Sequence, residues 1–166
     1  MRKRMLIYLC ILTASLAACG KRSIPVFADA DTLARSLYAN AGFDTDAVYA
    51  ENVESTDSFR FGITITEFEN AVEDAVCYRK VIDNNGQMLY ALKMRSDADA
   101  EKLAKTFFAS YEFVPCDAAE KMTVASAGNY VILFKSDIGE VDAAVEAFRD
   151  LMEGHLGFEK ELANRG

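Results

Sequence analysis

The stretch KMTVASAGNYVILFK, residues 121–135, predicts a β-hairpin that is apolar on both faces. Residues 121–127 and 130–135 are two strand-like runs on either side of Gly128-Asn129, a dipeptide typical of tight turns. One face carries Met122, Val124, Val131 and Leu133, and the other carries Ala125, Ile132 and Phe134. A hairpin of this kind has to be covered on both sides, and the N-terminal helices are the expected cover.

A second hairpin is predicted upstream, where residues 75–82 and 87–94 surround the turn DNNG, residues 83–86. Asn-Gly is a strong hairpin signal because both central positions of the turn need a positive φ. The face with a single charge is expected to pack inward. Its members are Cys77, Arg79, Val81, Met88, Tyr90, Leu92 and Met94. The opposite face carries Lys80 and Lys93.

Each hairpin is followed by a predicted amphipathic helix. Ser96 caps the first helix, whose apolar face is Ala100, Leu103, Ala104, Phe107, Phe108 and Tyr111. Asp137, with Glu140 three residues later, forms a predicted capping box for the second helix. The apolar face of that helix is Ile138, Val141, Val145, Phe148 and Met152, and Gly154 is expected to end it.

Two shorter helices are predicted before the hairpins. Asp29 or Asp31 caps the first, which Gly42 ends, and a capping box at Thr66 opens the second. Residues 43–61 have an irregular pattern. The predicted class is α+β: two hairpin–helix units form a mostly antiparallel four-stranded sheet with packed helices, plus the N-terminal helices. This single domain spans 29–153, and residues 154–166 are expected to fray.

The N-terminus has the pattern of a bacterial lipoprotein signal. Three basic residues, 2–4, precede an apolar run at 5–16, which is shorter than the roughly 20 residues that span a bilayer. Leu16, Ala17 and Ala18 then form a lipobox before Cys19. The sequence therefore predicts removal of residues 1–18 and attachment of palmitate-type acyl chains at Cys19. Residues 19–28 form a tether that holds the domain on the extracytoplasmic face of the cell membrane.

Charge excludes one class of partner. The chain has 18 basic and 26 acidic residues, a formal charge of −8. Since residues 1–18 contain three of the basic ones and no acidic one, the chain from Cys19 keeps 15 against 26, or −11. Nucleic-acid binding depends on Lys and Arg neutralising phosphates, so no nucleic-acid partner is expected. The expected partners are the bilayer, through acylated Cys19, and an envelope protein or small ligand.

Two cysteines remain once Cys10 leaves with the signal and Cys19 is acylated. A disulfide between Cys77 and Cys116 is permitted outside the cytoplasm and would contribute up to about 4 kcal/mol. The intervening helix, however, places the two cysteines at opposite ends of a hairpin–helix unit, whereas a bridge requires Cα atoms within about 7 Å. A bridge and two separate buried thiols both stay open.

Short motifs along residues 31–152 resemble a bacterial family. They are the helix at residues 33–42, the step Phe61-Gly62-Ile63, and AGNYV, residues 127–131, followed by residues 144–148. These resemble the small, mostly Gram-positive lipoproteins grouped as domain of unknown function 4358. The resemblance implies an anchored extracytoplasmic domain, and it implies no catalytic residues.

No catalytic or metal-binding constellation is evident, and no cofactor is expected. The only histidine, His155, stands between glycines in the predicted tail. The leading hypothesis is a non-enzymatic binding or adaptor module of the cell envelope. The alternative is a ligand- or cation-binding, or enzymatic, lipoprotein whose acidic residues converge only in three dimensions. A deep pocket lined by two or more of Asp44, Asp46, Glu51, Asp97 and Glu120 would favour that alternative.

Overall fold

The computed structural model describes residues 24–82 and 85–165, and within them six strands form one antiparallel sheet. The strands are β1 (Val48–Asn52), β2 (Val72–Lys80), β3 (Met88–Met94), β4 (Lys121–Ala127), β5 (Tyr130–Ser136) and β6 (Phe158–Ala163). Their order across the sheet is β1-β2-β3-β5-β4-β6. The two predicted hairpins are therefore present, and they join through β3 and β5, which pair antiparallel.

The described helices are α1 (Ala30–Ala41), α2 (Ile65–Ala71), α3 (Asp97–Ser110) and α4 (Ile138–Leu151), with 3₁₀ segments at Thr45–Ala47 and Ser55–Phe61. Asp29 caps α1, as predicted, by accepting a hydrogen bond from the Thr32 amide, and Gly42 ends it with a φ of 73°. The capping box of α2 is formed by Thr64 and Glu67, so the prediction at Thr66 was wrong by two residues. Thr64–Glu67 and Thr66–Glu69 have the same spacing, and the sequence pattern alone does not choose between them.

Helices cover both faces of the sheet, which makes three layers. On one face α1 and α4 pack against apolar residues of the central strands, including Leu89, Ile132 and Phe134. On the other face α2 and α3 pack against a second set, including Leu92, Met122 and Leu133. The apolar hairpin at residues 121–135 is covered on both faces, by α4 on one and α3 on the other. The prediction that the N-terminal helices supply this cover was wrong, because α1 lies mainly over β2 and β3.

The first hairpin also is buried on both faces, although one inward face was predicted. Tyr78, Leu89 and Ala91, on the face that carries two lysines, are covered by α1 and α4. The lysines stand at the ends of that face: Lys80 contacts Glu140, and Lys93 contacts Glu73. Long lysine side chains can lie along apolar surface and keep the ammonium at its rim, so two charges did not prevent burial.

Two edge strands correct the predicted sheet from four strands to six. The tail predicted to fray contains β6, which pairs with β4. The ring of Phe158 in β6 contacts Phe108 of α3 at a centroid distance of 6.2 Å. The irregular segment 43–61 contains β1, which pairs with β2. Both strands are largely exposed, and their apolar residues are grouped at the start of β1 and at the two ends of β6, so their sequences carry little of the alternation that marks a strand.

The two ends of the sheet are surrounded by different elements. At the Gly128 end lie the β4–β5 turn, the start of β2 and the start of α1. At the Glu140 end lie the last residue of β2, the first of β3 and the start of α4. Residues 24–28 pack on the Gly128 end: Ile24 lies beside Gly128, and the Phe27 amide donates to the Tyr130 hydroxyl at 2.8 Å.

A pair of glycines gives a test of the packing between the 3₁₀ segment Ser55–Phe61 and α3. Gly42 and Gly62 have nearly equal positive φ values, 73° and 69°. A Cβ at Gly62 would collide with the Ser110 side chain, whereas a Cβ at Gly42 would meet open space. Left-handed backbone costs an L-residue about 1–2 kcal/mol, so Gly42→Ala should lose about that much unfolding free energy.

Gly62→Ala should lose clearly more, because the clash with Ser110 adds to the backbone strain. Urea unfolding followed by circular dichroism measures both losses. Equal losses for the two variants would show that the approach of Gly62 to α3 is not a tight contact.

Candidate functional site

A group of polar side chains lies at the Glu140 end, on the face covered by α1 and α4. The last residue of β2 places Lys80 there, and the first turn of α4 places Glu140 opposite it. The Lys80 ammonium and the Glu140 carboxylate are 3.0 Å apart. Both side chains are mostly buried, with 21% and 28% exposed. Partly buried ion pairs are screened less by salt than surface pairs, so this contact fixes the position of both groups.

Glu140 accepts hydrogen bonds from several elements at once. Its carboxylate receives the Gln87 side-chain amide at 2.8 Å, the Asn85 amide at 3.0 Å and the Ser136 hydroxyl, in addition to Lys80. Gln87 and Ser136 are buried polar residues. The capping-box role predicted for Glu140 was wrong: Asp137 is the N-cap without a side-chain cap hydrogen bond, and Glu140 turns towards the sheet. These polar partners pull the carboxylate inward.

The environment keeps Glu140 ionised. Burial acts to raise its pKa, but the hydrogen bonds from Ser136 and Lys80, the positive charge of Lys80 and the Asn85 amide together lower the pKa below its ordinary value. A carboxylate that accepts several hydrogen bonds is stabilised in its charged form. The site therefore holds a fixed negative charge beside the Lys80 ammonium at neutral pH.

A cavity of about 240 Å³ opens beside this ion pair. Its roof is the segment that leaves α1 and enters β1, and its floor is the start of α4 with the ends of β2 and β3. The lining residues are Tyr38, Gly42, Phe43, Asp44, Ala47, Val48, Lys80, Gln87 and Glu140. Apolar walls with a few convergent polar groups are typical of small-molecule sites.

Tyr38 is the unusual member of the cavity wall. The residue is 0% exposed, and its hydroxyl has no hydrogen-bond partner among the described residues. Burial raises its pKa, and the negative charge of Glu140 raises it further. Its ring is held by Phe43, Tyr78 and Phe134, with the Phe43 centroid at 5.4 Å. An unpaired buried hydroxyl costs about 1–3 kcal/mol, so the position favours an occupant of the cavity that can bond to it.

A second depression at the same end is wider and shallower. It measures about 1140 Å³ and lies between residues 111–117 and β6. Cys116 is exposed there with a φ of 70°, whereas Cys77 is buried in β2. Both are free thiols, so the disulfide left open by the sequence is not formed, and Cys116 is not a buried thiol either. Burial raises the pKa of the Cys77 thiol, which disfavours its reactive thiolate.

The lipidation residues Leu16, Ala17, Ala18 and Cys19 lie outside the described residues.

Of the five acidic candidates, Asp44 alone lines the cavity beside Glu140. The others are elsewhere: Asp46 donates its amide to Asp44, Glu51 contacts Arg79, Asp97 lies in the first turn of α3, and Glu120 accepts from the Ile138 amide. His155 is exposed between α4 and β6. Within residues 24–82 and 85–165, no three His, Cys, Asp or Glu residues are grouped closely enough to hold a metal.

Sequence reasoning missed Tyr38, Lys80 and Gln87 as site residues. Lys80 and Gln87 flank the first hairpin turn, and a lysine and a glutamine at the end of a sheet face are an available but weak signal. Tyr38 lies within the apolar pattern of α1, which predicts only packing. Only the tertiary structure shows that its hydroxyl is buried without a hydrogen-bond partner among the described residues.

No helix in the described part of the chain combines the length and apolar character needed to cross a membrane. No family model, curated protein or solved structure matches the chain. The resemblance of the α1 and Gly128-Asn129 regions to family 4358 stays a prediction.

Replacing Tyr38 with Phe should leave the unliganded protein as stable as the wild type or more stable by about 1 kcal/mol, because an unpaired buried hydroxyl is removed. The matched control is Tyr78→Phe, since the Tyr78 hydroxyl donates to Asp31 at 2.6 Å. That variant should lose about 1–2 kcal/mol of unfolding free energy. Urea unfolding measures both, and an equal loss at Tyr38 would mean that its hydroxyl is already paired.

Glu140→Gln should lower the unfolding free energy at pH 7 by about 2 kcal/mol, since hydrogen bonds to a charged group are lost. The pKa of Glu140 is lower in the folded than in the unfolded state. Its stabilisation is therefore present above the unfolded pKa and is lost as the pH falls through the folded pKa. The unfolding free energies of the wild type and of Glu140→Gln should therefore converge in acid.

The control is Glu146→Gln, at an exposed position on the same helix. Its stability should follow the wild type across the same pH series. A constant difference between wild type and Glu140→Gln down to pH 3 would contradict the lowered pKa.

Proposed function

We propose that this protein is a non-enzymatic binding module of the bacterial cell envelope, anchored to the membrane by acyl chains on Cys19. It presents the Glu140 end of its sheet, with the cavity, away from the bilayer. The observation that carries this proposal is the separation of two features. Residues 24–28, the first described residues, pack on the Gly128 end of the sheet. The cavity opens at the opposite, Glu140 end.

The first described residues support this orientation. Ile24 lies against Gly128, and the rings of Phe27 and Tyr130 contact each other at 5.4 Å. The Ala30 amide then donates to the Asp74 carboxylate at the start of β2. Ile24 lies five positions after Cys19 in the chain, a reach of about 18 Å at most. An anchor at Cys19 would therefore hold the Gly128 end close to the membrane.

The sheet sets the height of the cavity above the bilayer. β2 runs nine residues from one end to the other. At about 3.3 Å per residue, the Glu140 end lies roughly 25 Å beyond the Gly128 end. Several large apolar side chains are exposed at or near this far end, among them Val81, Ile82, Val114 and Ile138. Exposed apolar residues beside a cavity favour recognition of another molecule.

The lipobox pattern Leu16-Ala17-Ala18-Cys19 supports the anchored location. The alternative of an acidic site that converges in three dimensions receives less support, because the cavity contains Asp44 but not Asp46, Glu51, Asp97 or Glu120. The net negative charge of the chain supports a protein or small ligand in place of nucleic acid.

Anchoring is tested in cells that express the full chain with a C-terminal tag. Wild type should incorporate radiolabelled palmitate and sediment with membranes, and Cys19→Ser should lose both properties. Cys116→Ser serves as the control, since it removes an exposed cysteine and should leave the label and the location unchanged. Label retained in Cys19→Ser would overturn the anchor.

Orientation is tested in vesicles that contain nitroxide-labelled lipid, with a fluorophore at an introduced cysteine in a Cys116→Ser background. Val26 and Ile82 are a matched pair of exposed apolar residues, 87% and 83% exposed, at opposite ends. The label at Val26→Cys should be quenched by the lipid, and the label at Ile82→Cys should not. Quenching at both positions would mean that the body lies flat on the bilayer.

A further inference from the structure

The cavity beside Lys80 and Glu140 contains charges of both signs within one small volume. We propose that it binds a small zwitterion of the α-amino acid class, with the ligand carboxylate at Lys80 and Tyr38 and the ligand ammonium at Asp44. The ligand assignment rests on the proposed binding role of this end of the sheet. It does not require the lipid anchor, because every residue involved belongs to the folded body.

Lys80 has a donor for the ligand carboxylate. An ammonium carries three N–H groups. Within the described residues, Lys80 donates to Glu140 at 3.0 Å and, at a longer 3.4 Å, to the Asn85 side-chain oxygen. One N–H is left over at a side chain that lines the cavity. The Glu140 contact fixes the ammonium in place before the ligand arrives, which reduces the entropy lost on binding.

Tyr38 gives the second donor and the independent sign of an occupant. Tyr38 lines the cavity, and its buried hydroxyl lacks a partner among the described residues, although buried hydroxyls are normally hydrogen-bonded. A carboxylate oxygen at Lys80 would accept from it. The aromatic rings around Tyr38 hold its side chain in position.

Asp44 provides the site for the ligand ammonium. It is exposed on the rim of the cavity, and one of its carboxylate oxygens accepts from the Asp46 amide at 2.9 Å. The other oxygen accepts no hydrogen bond within the described part of the chain. Glu140 is less suited to this role, because Lys80, Asn85, Gln87 and Ser136 already donate to it.

The arrangement of the charged groups favours a zwitterion over a simple ion. The cavity contains one cation, Lys80, and two anions, Asp44 and Glu140. A lone carboxylate would bind Lys80 but be repelled by Asp44 and Glu140, and a lone amine would bind Asp44 but leave the remaining Lys80 N–H without an acceptor. A ligand with both groups satisfies both charges, and charges removed from water need such pairing. The half-buried Phe43 ring offers an apolar wall to the ligand side chain.

The experiment titrates each of the twenty common L-amino acids into the full lipidated chain in detergent micelles and measures heat by calorimetry. At least one should bind with a dissociation constant below about 1 mM, or −4.1 kcal/mol. For the amino acid that binds most tightly, the amine without the carboxylate and the acid without the amine should each bind at least tenfold more weakly. Absence of binding by all twenty overturns the assignment, as does equal binding of either analogue.

Variants locate the site. Lys80→Met and Asp44→Asn should each weaken binding at least tenfold, and Tyr38→Phe should weaken it severalfold. Lys93→Met is the control, because Lys93 is also a mostly buried, ion-paired lysine, at the other end of the sheet. It should leave the affinity unchanged. Asp44 is exposed, so Asp44→Asn stays informative if Lys80→Met fails to fold. Wild-type affinity in Asp44→Asn would overturn the assignment.

The binding and palmitate experiments distinguish failure of the ligand assignment from failure of the membrane anchor. Amino-acid binding by a protein without palmitate would leave this site standing and remove the membrane anchor. Palmitate on Cys19 with no amino-acid binding would overturn this ligand class and leave the anchored module without it.

Discussion

Both faces of the central strands are apolar, and the rest of the structure follows from covering them. The hairpin at residues 121–135 has Val124 and Leu133 on one face and Ile132 and Phe134 on the other, all buried. Burying a side chain of this size contributes about 1.5–3 kcal/mol, so exposing either face would be costly. Helices α1 and α4 on one side and α2 and α3 on the other are the solution that the chain adopts.

The same cover creates the cavity. α1 and α4 pack side by side on one face, but the chain after Gly42 has to leave α1 and reach the edge strand β1. This crossing passes over the end of β2. There the apolar face of the sheet ends, and Lys80, the last residue of β2, lines the cavity. Polar side chains lie at that point, because the end of a packed helix–sheet layer borders both the apolar core and solvent. Glu140, turned inward by its donors, holds them together.

The position of the cavity on the fold determines which molecules it can reach. A binding site at the membrane end of a short tether would face headgroups, whereas one at the far end faces the envelope. Ile24 and Phe27 pack at the Gly128 end, so the direction of the chain and the direction of the cavity are opposed. An anchored domain with a cavity on its free end can bind a ligand and present it to other envelope molecules, which is the role proposed here.

The sequence by itself determined both hairpins, the helix bounded by Asp29 and Gly42, and the two helices after the hairpins, because turn dipeptides, caps and apolar spacing are local signals. It did not determine β1 or β6, whose exposed residues become strands only because β2 and β4 offer unpaired backbone beside them. Nor did it determine the site. Tyr38 belongs to an apolar helix face, Lys80 to a hairpin and Glu140 to a predicted cap. Only the tertiary structure brings three such distant residues around one cavity, since their proximity depends on which faces pack together.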